Sequence, residues 1–503
     1  MKQWQLAGST AATALILGMS AAAADVTPEE IWQNWQDMTT SYGQAIKSTS
    51  VTRNGDTLQV EGAAISTDDG KGTATNVQMG TINFKDLGDG TVEVTLPDSY
   101  PISMKTPAKD ETSQPLDLAI MLSQPGMKII ASGTAAETGY AISAPSMNIK
   151  ITDASGASPD NSGDITLTGV TGKYLVAGTD TKTLDSAFAA KSMDIAINAK
   201  ETAEPFDMKL TASYADLTGT SKGTFLGVAA MENMATALQS GFAVDGGFSY
   251  GKNTFNLQVT DETGPTQIAA TSDGGSLTVG LDKSRLSYGV ASKAAAFTIS
   301  GASIPIPEVK VSYSEVLFNL AMPVAKSDTP EDFAFTTKIV DLAMSDDIWA
   351  MVDPTGGLPH DPATIILDTK GTAKLTVDLM DEAATAALGD APPGELNALD
   401  LTDLTVKIAG AALTGSGALT FDNTDLTTFQ GMPVPTGKID LKLVGANTLL
   451  DKLIAMGLVA EDQAMGFRMM AGMFTKVGEG EDTLTSTLEF KDKGFFANGQ
   501  QLQ

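Results

Sequence analysis

A mainly β fold is expected for this 503-residue chain: long, curved, largely antiparallel sheet forming an open groove or half-barrel, with a few short helices. Three observations predict it. From about residue 50 onward apolar residues alternate with polar ones, as in Val92, Val94 and Leu96 of "GDGTVEVTLPDSYP". The alternating runs are short and are bounded by Gly, Asn and Asp turns. One polar and one apolar face per strand is the habit of antiparallel sheets, whereas parallel strands buried on both faces read as unbroken apolar runs.

The elements follow in order. Residues 1–24 read as a secretory signal peptide: Lys2, an apolar run from Leu6 to Met19, and an Ala22-x-Ala24 site before Asp25. The apolar run is shorter than a spanning helix requires, and the expected location is the periplasm. Next comes "VTPEEIWQNWQDMTTSY", with Thr27 as N-cap, Pro28 at the first helical position and Glu30 completing a capping box. Ile31, Trp32, Trp35, Met38 and Tyr42 then recur at helical spacing, and Trp32 and Trp35 are assigned either to packing on the first sheet or to a partner-docking face.

Strands fill the remainder, without a fixed period that would mark a solenoid or propeller. Short helices interrupt them around 227–241 and 345–354. The loop "KSDTPEDF" divides an N-terminal β-rich region, 25–326, from a C-terminal one, 327–503, unless both form one elongated domain. Near the end, "TLLDKLIAMGLVAEDQAMGFRMMAGMF" (448–474) reads as a helical hairpin. Leu449 and Leu453 stripe its first helix; Met465, Met469 and Met473 follow at four-residue steps in the second, which is apolar on most sides. Such a helix is expected to be buried or to cover a groove, so the hairpin is expected to close an apolar concavity, with an acyl ligand as a conditional addition.

Composition excludes much chemistry. A net charge of −29 argues against nucleic acid and anionic surfaces as electrostatic partners. With no cysteine and only His360, thiol catalysis, disulfides and His-rich zinc sites are ruled out. No Gly-x-Ser-x-Gly elbow accompanies His360. Carboxylate pairs such as Asp346 with Asp347 and Glu481 with Asp482 fall in turns and helix starts, as chance allows in so acidic a chain. The stretch 153–164 offers Asp153, Asp160, Asn161 and Asp164 for calcium, but lacks the alternating pattern of an EF-hand loop. No cofactor, metal or catalytic residue is assigned.

Two regions, "ADVTPEEIWQNWQDM" with "FKDLGDGTVEVTLPDSYP", and "ALTGSGALTFDN" with "MPVPTGKIDLKLVGANTLLDKLIAMGLV" and "DTLTSTLEFKDKGFFANGQ", resemble the alphaproteobacterial family known as domain of unknown function 2125. The C-terminal part is also similar in style to the large β-sheet envelope proteins of the AsmA-like and YdgA-like kind. The resemblance brings no catalytic residues. Beside the signal segment, the alternating strands and the apolar hairpin, it supports the expectation of an exported, non-enzymatic envelope protein that holds or chaperones a lipid or other apolar ligand in a β groove. The alternative is a structural protein that binds an envelope partner through sheet edges and the Trp32/Trp35 helix; a carbohydrate-active enzyme is the remotest reading.

Overall fold

The computed structural model describes residues 25–41, 44–68, 72–108, 116–155, 161–178, 181–201, 205–226 and 233–503. The expected signal segment lies outside these, as does part of the helix expected at 227–241. The described residues form 27 strands and six short helices; every strand pairing is antiparallel, and the sheet does not close into a barrel. No described helix is long and apolar enough to cross a membrane. Two compact units are present, one ending at Ala269 and taking in Gly301–Ser303, the other comprising Ala270–Ser300 and Ile304–Gln503. The loop expected at 326–333 joins two strands that pair with each other.

The first unit begins with α1 (Pro28–Ser41). Its capping box forms: the Thr27 amide donates to Glu30 Oε2 at 2.9 Å, and the Glu30 amide to Thr27 Oγ1 at 3.3 Å. Then follow β1 (Ala45–Lys47), β2 (Ser50–Asn54), β3 (Thr57–Asp68), β4 (Ala74–Asp86), β5 (Val92–Thr95), β6 (Ser99–Thr106), β7 (Leu116–Ser123) and β8 (Lys128–Thr134). Four long strands, β9 (Glu137–Ser155), β10 (Ser162–Ala177), β11 (Lys182–Glu201) and β12 (Phe206–Phe225), continue the sheet; α2 (Met234–Gln239), β13 (Ala243–Tyr250) and β14 (Asn253–Asp261) complete it. β5 and β6 both pair with β4, and β7 and β8 both pair with β9, so each couple is one long strand interrupted midway.

Those interruptions line up. Gly80 in β4 is at φ +77°, Pro97 and Asp98 separate β5 from β6, and Gln124–Gly126 separate β7 from β8. Across the next strands Pro145, Gly169 (φ +58°), Lys191 and Asp216 (φ +52°) fall at gaps in otherwise regular ladders. Bulges bend and twist a strand; placed opposite one another, they crease the whole sheet. Beside the crease runs a row of small and branched residues, Ala144, Val170, Ala190 and Leu217, each no more than 3% exposed. Met147, Leu167, Met193 and Tyr214 pack onto the row from one limb and Phe188 and Tyr250 from the other. The apolar face therefore lies inside the bend.

α1 plugs one limb of the bend. Ile31 and Trp32 are buried among Leu58, Val60, Ile82, Phe84 and Val94, and Trp32 and Trp35 set their rings 5.9 and 5.4 Å from that of Phe84. Trp32 retains 6% exposure. The face carrying the two tryptophans is thus committed to the sheet, where both rings pack on Phe84. The partner-docking assignment of Trp32 and Trp35 is corrected accordingly.

Beyond β15 (Gly264–Ser272), which spans the division, the second unit is a meander: β16 (Gly274–Leu281), β17 (Arg285–Gly301), β18 (Val309–Pro323), β19 (Glu331–Met344), α3 (Asp346–Val352), β20 (Ala363–Leu375), α4 (Glu382–Ala387), β21 (Gly394–Ile408), β22 (Ala411–Asp422) and β23 (Val434–Val444). The hairpin α5 (Ala446–Ala455) and α6 (Glu461–Phe474) precedes β24 (Lys476–Val477), β25 (Thr483–Lys491), β26 (Gly494–Ala497) and β27 (Gln500–Gln501). A second crease crosses β17 to β20 at Ala294 (φ +47°), Ser314, Asp341 (φ +54°) and Thr364. Ser314 donates to the Asp341 carboxylate at 2.8 Å, and the Asp341 amide to Thr364 Oγ1 at 3.2 Å, so the bend is held by side chains where the ladder breaks.

Candidate functional site: open apolar sheet faces and a methionine helix

Directly opposed residues on neighbouring antiparallel strands share a face, so the ladders show how the alternating residues assemble. In the first unit Ile46, Ile65, Val77, Ile102, Ile120 and Ile151 stand opposite one another in sequence across β1, β3, β4, β6, β7 and β9. The row continues through Gly163, Ile197, Leu210 and Leu257. A Cβ at Gly163 would stand 2.6 Å from Ile151 Cδ1, so the isoleucine fills the space the glycine leaves. A parallel row runs Tyr100, Leu122, Ile149, Ile165, Ile195 and Phe255, with Ala212 between the last two. Apart from Ile46 and Ala212 these apolar side chains are half-buried, with Ile149 exposed: Ile65, Val77 and Tyr100 pack against the cluster that α1 completes, and beyond them neighbours shield the rows sideways.

The second unit repeats the pattern more widely. One row passes from Val279 and Tyr288 through Leu320 and Phe335 to Leu401, Ile439 and Leu488. A second contains Leu277, Val290, Phe318, Leu367, Leu404 and Leu441, and a third Val316, Ile339, Ile365, Val406, Leu413, Leu443 and Leu484. Rings confirm that adjacent rows share the face: Phe318 lies 5.5 Å from Phe335 and 6.1 Å from Tyr288. None of these large apolar residues is buried. A face this broad and this incompletely covered is what a binding surface shows and a packed core does not. By contrast, a cavity under α1, between Asn34, Met38 and Tyr140, measures about 30 Å³, enough for a water but far below a ligand pocket.

The hairpin departs from expectation. Met465, Met469 and Met473 are 60, 69 and 62% exposed, with Phe467 and Met470 also in solvent. They close nothing. α6 instead turns a stripe of small and polar residues inward: Ala464 is fully buried, and Arg468 pairs with Asp451 and reaches Asn447 Oδ1 at 3.3 Å. Ala464, Arg468 and Ala471 repeat at helical spacing, so once they face α5, Met465 and Met469, one residue on, and Met473, two residues on, are rotated outward. Leu449 and Leu453 are half-buried on α5, which packs on β22 and on α6. Asp482 holds the start of α5 by accepting from the Thr448 amide at 2.7 Å and from Asn447 Nδ2 at 2.9 Å.

His360 is structural in its surroundings. It stacks on Trp349 at 4.3 Å, and its Nε2 stands 3.5 Å from Asp353 Oδ2. The Asp353 side chain is fully enclosed and accepts from the Leu358 amide at 2.6 Å, the Gly357 amide at 3.0 Å and Thr355 Oγ1 at 3.1 Å. The Leu358 amide, foremost among these donors, holds its carboxyl at about 2. Of the acidic stretch considered for calcium, Asp160 and the Asp153 side chain lie outside the described residues. Asn161 accepts from the Lys200 amide at 2.6 Å and Asp164 from Asn148 Nδ2 at 2.7 Å, so both serve the ladder.

A family model described as an uncharacterised protein conserved in bacteria, DUF2125, matches residues 246–497. The chain belongs to this family. The matched span runs from β13 to the end of β26 and so contains all three apolar rows of the second unit together with the hairpin. The likeness read near the start of the chain lies outside the matched span. No curated protein and no solved structure matches the chain.

Proposed function

We propose that this DUF2125 protein is an exported, non-enzymatic protein of the bacterial cell envelope that holds a lipid or similar apolar ligand along the open faces of its sheets. The observation carrying this reading is the set of aliphatic rows that cross successive strands without being sealed. Backbone groups in such a face are already paired in the ladder, so it offers an occupant dispersion contact and exclusion of water, with almost no directional hydrogen bonding. An acyl chain suits that chemistry, since it has no polar group of its own to leave unpaired. The alternating polar face carries pairs such as Lys222 with Asp185, 2.9 Å apart, and keeps the other side in water. Native mass spectrometry of the protein taken from its host's periplasm tests the reading. A retained mass matching a phospholipid or fatty acid is expected. Ligand-free protein that also fails to take up a fluorescent phospholipid would end it.

A further inference from the structure

We infer that the α5–α6 hairpin is a docking element for the surface of an uncharged lipid bilayer, an inference that rests on the lipid reading of the sheet faces. The exposed apolar side chains of α6, Met465, Phe467, Met469, Met470 and Met473, fall within nine residues of one another. Between Asp462 and Lys476 the single charged side chain is Arg468, and it is paired with Asp451. The stretch 463–475 therefore presents no unpaired charge, with Glu461, Asp462 and Lys476 at its edges, while the chain as a whole carries −29. Attraction to anionic lipid is excluded by that sign, which leaves insertion of apolar side chains into a neutral interface. Methionine suits such insertion, because its thioether chain is flexible and adapts to irregular apolar surroundings. The hairpin is also continuous with the open face. α5 starts two residues after β23, and Leu443 of β23 stands opposite Leu484 of β25 at the end of the third row. The hairpin thus joins the chain at the end of the third row.

Flotation of the full exported protein with phosphatidylcholine vesicles tests the inference, using the Met465→Gln, Met469→Gln, Met473→Gln triple variant as comparison. Glutamine keeps helix propensity and length, and the positions are exposed, so the variant retains the wild-type melting temperature. The wild type is expected to float equally at low and high salt, and the variant to lose about tenfold in vesicle partition. Binding of a monomeric short-chain phosphatidylcholine, which needs no bilayer, is expected to be unchanged in the variant. A wild type that stays with the protein fraction, a variant that floats like the wild type, or flotation that requires anionic lipid and disappears in salt overturns the inference. So does a wild-type dimer that the variant dissolves, since that assigns the surface to a second copy. If vesicles bind and the short-chain lipid does not, the sheet reading falls while the hairpin inference stands.

Discussion

Asp353 holds the loop that follows α3 with four groups around one enclosed carboxylate, and its acidity makes that loop sensitive to low pH. The folded-state value is depressed from 3.8 to about 2, so the ionised form is the one the fold favours. Its stabilisation is complete above the unfolded value and is lost as pH falls from near 3.8 toward 2. Asp353→Ala is expected to lower the melting temperature at neutral pH and to shrink the further drop between pH 6 and pH 2.5, read by circular dichroism. Backbone strain makes a second residue-scale case. Gly62 is at φ +62°, and a Cβ there would stand 2.7 Å from Thr49 Oγ1, so Gly62→Ala is expected to cost about 1 to 2 kcal/mol in urea unfolding. At Ala294, φ +47°, the sign reverses: Ala294→Gly relieves the left-handed penalty and is expected to gain up to about 1 kcal/mol.

At the scale of the element, two helices with similar apolar spacing have opposite fates. α1 buries its stripe against Phe84, and Trp32→Ala is expected to cost about 3 to 5 kcal/mol. α6 exposes its stripe, and Met469→Ala is expected to change stability by less than about 0.5 kcal/mol. Periodicity identifies a helix and its apolar side; it does not say whether anything stands opposite. The capping box at Thr27 and Glu30, and the break between α5 and α6, were legible because both are local. Burial of Ala464 in place of Met469 was not, because it depends on Arg468 finding Asp451 on the neighbouring helix. α4 was not legible either, for a similar reason. It is a six-residue turn capped by Asp381, which accepts from the Ala383 and Ala384 amides, within a stretch too short for a period to emerge.

At the scale of the whole molecule, alternation announced the antiparallel sheet, yet the rows and creases needed the strand register. Ile102 and Ile120 are unremarkable in sequence until pairing sets them opposite each other, and Lys191 at the crease carries no turn signature at all. The protein should show more strand than helix in far-UV circular dichroism. A charge placed in the middle of the open face, Phe318→Glu, is expected to abolish uptake of a fluorescent phospholipid; Lys222→Glu, on the polar face of the first unit, is expected to leave it intact.

From β9 to β12, and again from β17 to β22, each strand pairs with the one before it and the one after it in the chain. An architecture of this kind can be lengthened like a ruler. Inserting a hairpin between two existing ones adds about 10 Å of band and leaves every older pairing with a neighbour of the same kind. Gene duplication within the meander would therefore lengthen the apolar rows before altering their chemistry, and relatives of different length are expected to differ in reach rather than in kind.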